Sequence, residues 1–545
     1  VRSNNAPAPF SPGQPAAPVR IIALLGFALA IYFPGLKSPF QYDDFSSIVD
    51  NPYVKIESLS VPGLVQAAFQ GRQNRPLTNL SFALNYYLNG LDPFGYHLVN
   101  FIALAMTAIG VWLLVGKLLI RLGFDPSRAQ LAGWLAAFVW SAHPAQVMAV
   151  TYIVQRHASF AGAFTIWCVY FFHRSMERPR LRNAWLAASG LSCLLALLSK
   201  ETSLTLPALV FLYKVFFFDR LQKGRLKKNW KWLFALLLFY GLAAALVLRP
   251  SMLGQTLSEI SETPLTPAQR IMTQPRALLW YPFFILAPFP QFLTLLHNFE
   301  PSHSLIRPAT TIISLLILAI VVFLAIYKAK ARPAFAFAVA WYFGSLLVEA
   351  MPLPIAIANE QRLYLASLAI IVPAAGWPVL RLSNTKAVVA LALLIVLFFG
   401  FFTWSRNQVW RSETALWQDT VEKSPGFLWA WFHYCNALAK SGDCRNAALA
   451  CRLAAKAAPQ SHKPRLNLGV CHLRRGFAEQ AGAELLGAVT LNGALRDDPK
   501  WTAACSELVR LMADQNRCAD ALGFVETSGM DAKRISGVIE QCRSK

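Results

Sequence analysis

The chain has 545 residues, 55% of them hydrophobic and only 14% charged, too few charges to clothe a soluble protein of this size. Its formal net charge is +23, but most Lys and Arg sit in short clusters between apolar runs, a pattern of membrane topology that sets aside a nucleic-acid-binding face. The apolar runs are about 15 to 23 residues long, enough to cross a hydrocarbon core of roughly 30 Å.

Residues 1–20 are rich in Pro and Ala, carry Arg2 and Arg20, and read as a disordered cytoplasmic tail. The apolar run 21–36 follows with no small-x-small cleavage site after Leu36, so it is expected to be an anchor and not a removed signal peptide. Further spans are expected at roughly 98–116, 130–148, 158–173, 183–198, 204–218, 231–248, 305–327, 334–350, 364–380 and 386–404. Basic clusters mark alternate loops: Lys117, Arg121 and Arg128; Arg174, Arg178, Arg180 and Arg182; Arg220, Lys223, Arg225, Lys227, Lys228 and Lys231; Lys328, Lys330 and Arg332; and, more weakly, Arg381 with Lys386. The positive-inside rule makes these loops and the N-terminus cytoplasmic. By parity, 249–304 then begins and ends outside. Its apolar part, 277–289, is interrupted by Pro282 and Pro288, which predicts a re-entrant or interfacial element in place of a full span. Eleven spans result, with the C-terminal part outside.

Beyond Trp404 the hydropathy falls and a repeat of period 34 appears: Gly442, Ala447 and Ala454 recur as Gly476, Ala481 and Ala488, flanked by Trp431 and Pro459. This is the tetratricopeptide pattern, in which small residues let paired helices pack closely. A looser third pair is expected at 500–529, with a cap at 531–543. Such a stack binds peptide or protein in a groove, or only stabilises the domain beside it. Seven of the nine cysteines (Cys435, Cys444, Cys451, Cys471, Cys505, Cys518 and Cys542) fall here. An oxidising compartment would pair some of them; the alternative is that they are small core residues.

The external loops carry polar groups that an anchor does not need. Gln41-Tyr42-Asp43-Asp44-Phe45 follows the first span, and an Asp within reach of a hydroxyl can take its proton as it attacks. Asn74-Arg75-Pro76-Leu77, Tyr96-His97-Leu98-Val99-Asn100, His143-Pro144, Gln155-Arg156-His157, Ser199-Lys200-Glu201 and Asn359-Glu360-Gln361-Arg362-Leu363-Tyr364 share the same side. Alternatives stand beside each: a solvated loop for the aspartates, a simple Lys200–Glu201 ion pair, snorkelling for Arg156 and Arg362. Together they suit a site where Arg or Lys holds a phosphate while a carboxylate activates a nucleophile.

These motifs, in this order, resemble the transmembrane and tetratricopeptide-repeat O-mannosyltransferase family and its bacterial relatives, of the GT-C class of glycosyltransferases. The resemblance runs from about residue 21 to 490 and rests on Tyr42-Asp43-Asp44, Asn74-Arg75-Pro76-Leu77, Tyr96-His97-Leu98-Val99-Asn100, His143-Pro144, Leu198-Ser199-Lys200-Glu201 and Arg362-Leu363-Tyr364-Leu365. Met272-Thr273-Gln274-Pro275-Arg276 is a looser match. Two departures occur: Gln361 stands where relatives commonly have His, so no acid role is assigned there, and Ala366 stands where they have Pro.

The resemblance implies an all-α chain: a cytoplasmic tail at 1–20, a polytopic GT-C-type membrane domain at 21–404 and a periplasmic tetratricopeptide solenoid at 405–545. It implies an inverting transferase moving mannose or another hexose from a polyprenyl-phosphate donor to Ser or Thr of an exported protein recruited by the repeats. Asp44 is the first choice of base and Asp43 the second. Arg362, with Lys200 or Arg156, is expected to hold the departing phosphate. Arg75, His97, His143, Glu201, Glu360 and Tyr364 are further site candidates. No cofactor is required by the reading; a divalent metal is left open by the acidic pair. Ala and Arg usage favours a bacterial inner membrane. The rivals are a same-class transferase with a glycan or lipid acceptor and a non-catalytic scaffold for a cell-surface complex; a transporter is disfavoured because no inverted repeat is evident.

Overall fold

The computed structural model describes residues 17–70, 74–222, 227–247 and 265–543, with the single residues Gly224, Gly254 and Ser258. Sixteen residues of the expected tail, Lys223 and Arg225 of the strongest basic cluster, and most of 249–264 lie outside the described residues. Among the described residues there are helices and no strands. The chain divides into two compact units: residues up to Leu293 with Phe299–Arg411, and Thr294–Asn298 with Ser412–Lys545.

In the first unit, proline opens many helices, where its missing N–H costs nothing. Pro93–Arg121 and Pro126–Ala142 begin this way, capped by Asp92 Oδ1 accepting from Phe94 N (3.1 Å) and Asp125 Oδ2 accepting from Arg128 N (2.9 Å). Pro126–Ala142 is apolar on all sides and almost wholly buried, which makes it a central post of the unit. It meets Pro93–Arg121 backbone to backbone: a Cβ on Gly133 would lie 2.7 Å from Trp112 O and 2.9 Å from Gly116 N. Such small-residue contacts are how apolar helices associate where lipid removes the hydrophobic drive. Arg156–Glu177 packs on Pro93–Arg121 and on Arg182–Leu197, and Ala17–Tyr32 packs on Thr385–Val409.

Ala17–Tyr32 starts four residues inside the expected tail. Ala17 to Arg20 form its first turn, and Arg20 is buried, so this part of the tail is helix. The unit is that of a membrane protein. Among the described residues four helical stretches are long and apolar enough to cross a bilayer: Ala17–Lys37, Pro93–Arg121, Thr310–Tyr327 and Thr385–Val409. The pair Glu360–Ala366 and Leu368–Arg381, bent by 49°, is apolar enough to make a fifth as a broken span, or to form a re-entrant loop. Eleven such stretches were expected, and several of the others are shorter, such as Pro333–Leu346. Thr310–Tyr327 exposes Ile313, Leu316, Ile317, Ile320 and Phe323, a face suited to lipid. The expected break at Pro282 is absent. Pro267–Leu286 is one helix that includes both Pro275 and Pro282, begun by a Thr266–Gln269 capping box and ended just before Pro288.

The second unit is a run of helical hairpins. Leu428–Ser441 pairs with Cys444–Ala457, His462–Arg474 with Ala478–Leu491, and Pro499–Asp514 with Cys518–Ser528. Gly442 (φ 82°) and Gly476 (φ 78°), 34 residues apart, both adopt the left-handed conformation that ends a helix. Ala447, Ala454, Ala481 and Ala488 are fully buried where paired helices touch. Cys435–Cys451 and Cys518–Cys542 are disulfides, each closing one part of the run. Cys444, Cys471 and Cys505 are free and buried, so both expectations for these cysteines apply, to different residues.

Candidate active site

The loop after the first helix is fastened from within. Both oxygens of Asp44 accept backbone N–H groups: Oδ2 from Gln41 (2.8 Å) and Oδ1 from Val154 (2.7 Å). Asp44 is 1% exposed. Burial pushes its carboxyl up to about 8, against those two N–H donors, which favour the anion; the neighbouring Asp43 charge adds to the rise. Asp43 is half-buried, and its backbone N–H donates to Tyr152 Oη at 2.8 Å. It follows Tyr42, whose φ of 44° is a costly conformation for an aromatic residue and one that recurs at functional sites. Asp44, the first choice of base, thus has both oxygens engaged by backbone N–H groups of the fold.

Arg156 is also part of the frame. It is buried, with Nε on Asn100 Oδ1 (2.7 Å), Nη1 on Asn85 Oδ1 (2.7 Å) and Ser81 Oγ (3.0 Å), and Nη2 on Tyr96 O (2.9 Å). Its guanidinium lies 4.4 Å from the centre of the Phe82 ring. Four of its five N–H donors therefore meet protein acceptors, which leaves little for a donor phosphate. Asn100 in turn donates to Val150 O (3.1 Å) and Ile153 O (3.2 Å), and His97 Nε2 sits 2.9 Å from Ser38 O. His143 Nε2 lies 2.9 Å from Ile285 O, while its Nδ1 accepts from Ala145 N. Tyr364 Oη donates to Thr107 Oγ1 at 3.0 Å. These three candidates hold backbone and neighbouring helices together.

The remaining cations gather around carboxylates. Leu77 N donates to Leu198 O (3.1 Å) and Thr78 Oγ1 to Ser199 O (3.3 Å), so two motifs more than a hundred residues apart dock on each other. That places Arg75 on Glu201, Nη2 to Oε2 3.0 Å. The simple Lys200–Glu201 pair does not form. Lys200 is extended (φ −158°, ψ 142°), so adjacent side chains point to opposite sides. Lys200 Nζ instead meets Glu349 Oε1 at 2.7 Å, and Arg362 Nε approaches Glu349 Oε2 at 3.7 Å. Arg362 also donates to Ile357 O (2.7 Å) and Ala356 O (2.5 Å) and does not snorkel. Lys200, Glu349, Glu360 and Arg362 are all buried. Arg75 lies within electrostatic reach of Glu349, and Arg75, Lys200 and Arg156 all act on His157. Arg75, Lys200 and Arg362 thus meet Glu201 and Glu349, with the buried Glu360 two residues from Arg362, so cations and carboxylates are matched three to three; Lys and Arg are the side chains that hold a phosphate. Among the described residues no group of three or more His, Cys, Asp and Glu side chains is arranged to hold a metal ion.

Glu349 is the site residue that sequence reasoning missed. Its one signal is a carboxylate inside an expected span, 334–350, where an unpaired charge is costly.

Residues 74–247 match the family described as dolichyl-phosphate-mannose-protein mannosyltransferase. Human protein O-mannosyl-transferase TMTC2 is 31% identical over 205 residues, 36% of this chain and 24% of that protein. Protein O-mannosyl-transferase Tmtc3 of Drosophila melanogaster is 28% identical over 221 residues (36% and 24%), and human TMTC3 30% over 207 (36% and 21%). The matched part spans about a quarter of the length of these relatives. No solved structure matches the chain.

Proposed function

We propose that this chain, a member of the protein O-mannosyltransferase family, moves mannose or another hexose from a polyprenyl-phosphate donor to a Ser or Thr hydroxyl of an exported protein. The observation that carries the reading is the convergence of the buried cations Lys200 and Arg362 on Glu349, with Arg75 within electrostatic reach of the same carboxylate. Asp43 is the base and takes the hydroxyl proton. The hydroxyl oxygen bonds to the anomeric carbon from the face opposite the phosphate. The carbon–oxygen bond to phosphate breaks with its electron pair, and the configuration inverts. Lys200 and Arg362 bind the phosphate on which that charge collects. Asp44 holds the loop that carries the base, and Arg156 holds Asn85, Tyr96 and Asn100 of the neighbouring helices.

Two disulfides in the second unit support an oxidising compartment for it, which fits the outer face of a bacterial inner membrane; the basic loops support the cytoplasmic N-terminus and the odd count of eleven spans that go with it. The 34-residue recurrence of left-handed glycines supports tetratricopeptide repeats, which recruit the acceptor.

Intact-mass analysis of exported proteins tests the reading, comparing cells that carry the chain with cells that carry Asp43→Asn at equal expression. Loss of a hexose-sized mass from one or more proteins is expected. If no protein changes mass but a sugar-lipid disappears, the acceptor is a lipid or glycan. If nothing changes, the aspartate mechanism fails and the scaffold reading takes its place.

A further inference from the structure

Glu349 stands where the two cations assigned to the donor phosphate converge. It bonds Lys200 through one oxygen (2.7 Å) and faces Arg362 Nε across 3.7 Å with the other, and all three residues are buried. A separation of 3.7 Å is too long for a hydrogen bond, and Arg362 Nε has no hydrogen-bond partner among the described residues. The Lys200 ammonium has three N–H donors, and Glu349 Oε1 is its acceptor here. One carboxylate charge therefore serves two buried cations, and Arg362 Nε and the Lys200 ammonium keep under-used N–H donors. A carboxylate has two oxygens and one negative charge. A phosphate monoester or diester presents at least as many charged oxygens with a wider tetrahedral spread, which suits donors that converge from two sides.

We propose that Glu349 is a placeholder for the donor phosphate: it shares its one negative charge between Lys200 and Arg362 while the site is empty, gives way as the phosphate enters, and returns as the polyprenyl phosphate leaves. The inference rests on the phosphate-binding role given to Lys200 and Arg362 above. Because carboxylate and phosphate compete for the same cations, Glu349 weakens binding of the product and hastens its release. Glu349→Gln keeps the size and one acceptor oxygen for Lys200 but removes the competing charge.

The test uses the full chain, purified in detergent, with a polyprenyl monophosphate as the probe and tryptophan fluorescence as the readout of binding. Glu349→Gln is expected to bind the probe on the order of tenfold more tightly. In transfer assays it lowers both KM for the donor and kcat, because product stays. Equal or weaker binding by a folded Glu349→Gln protein overturns the proposal. If that variant does not fold, Glu349→Asp decides: its shorter reach loosens the hold on the cations, so tighter binding supports the placeholder and weaker or equal binding overturns it. Lys200→Met and Arg362→Met separate the two levels. If both bind like the parent, the phosphate site itself is wrong. If they lose binding while Glu349→Gln gains none, only the placeholder fails.

Discussion

Arg156 offers the sharpest division between a residue that holds the fold and one that holds substrate. Arg156→Met retains much of the stem but strands two amide oxygens, of Asn85 and Asn100, and the carbonyl of Tyr96 in a buried setting. Ser81 can turn its hydroxyl, which already donates to Thr78 O, so its loss is smaller. The contact with the Phe82 ring also goes. Leaving a buried charged network without its centre costs about 3–5 kcal/mol. In a domain of this size that lowers an unfolding midpoint by roughly 5 °C or more. The assay is thermal unfolding of the full chain in detergent, followed by tryptophan fluorescence, with Arg156→Lys alongside. Lysine should not rescue, because one ammonium cannot reach acceptors spread around a planar guanidinium. A parent-like midpoint in Arg156→Met, together with lost binding of a polyprenyl phosphate, would refute the reasoning and return Arg156 to the phosphate.

Other substitutions probe the same frame. Asp44→Asn offers one acceptor oxygen to two N–H groups and turns its own amide donor towards the other, so it should cost about 2 kcal/mol in the same unfolding assay, whereas Asp43→Asn keeps the midpoint and loses transfer. A carboxyl with a folded pKa of about 8, above its ordinary 3.8, binds its proton more tightly when folded. Stability from Asp44 is therefore full at low pH and declines as pH rises from about 4 to about 8; a midpoint that climbs over that window in the parent but not in Asp44→Asn would be the wrong sign. Gly133→Ala drives a methyl into Trp112 O and Gly116 N, which should cost about 1–3 kcal/mol and shift the midpoint, with Gly190→Ala, where a Cβ meets nothing, as the silent control. Replacing Cys435 and Cys451 together by Ala opens a link across 16 residues and should cost the second unit about 3 kcal/mol, read as faster proteolysis there.

Much of the fold was legible because its signals are local. Hydropathy marks apolar helices, and a recurring glycine marks a helix end, as at Gly442 and Gly476. Arg362 and Lys200 could be grouped because they lie in short motifs at the ends of expected spans. Their partners could not. Lys200 sits next to Glu201 in the chain, yet an extended backbone sends the two to Glu349 and Arg75. The fastening of Asp44 was likewise hidden, since it depends on Val154 N arriving from 110 residues away. Pro282 misled for a related reason: a proline reads as a break, whereas Pro267–Leu286 passes through it.

The wiring that ties Gln41, Asp44, Asn100, Val154 and Arg156 into one buried polar knot has a consequence for how the chain should be surveyed. A screen that replaces every position and scores glycosylation will rank these residues beside Asp43, the proposed base. Intolerance in this stretch reports the stiffness of a mount as much as the chemistry mounted on it. Each activity score there becomes informative only when paired with a folding score for the same variant.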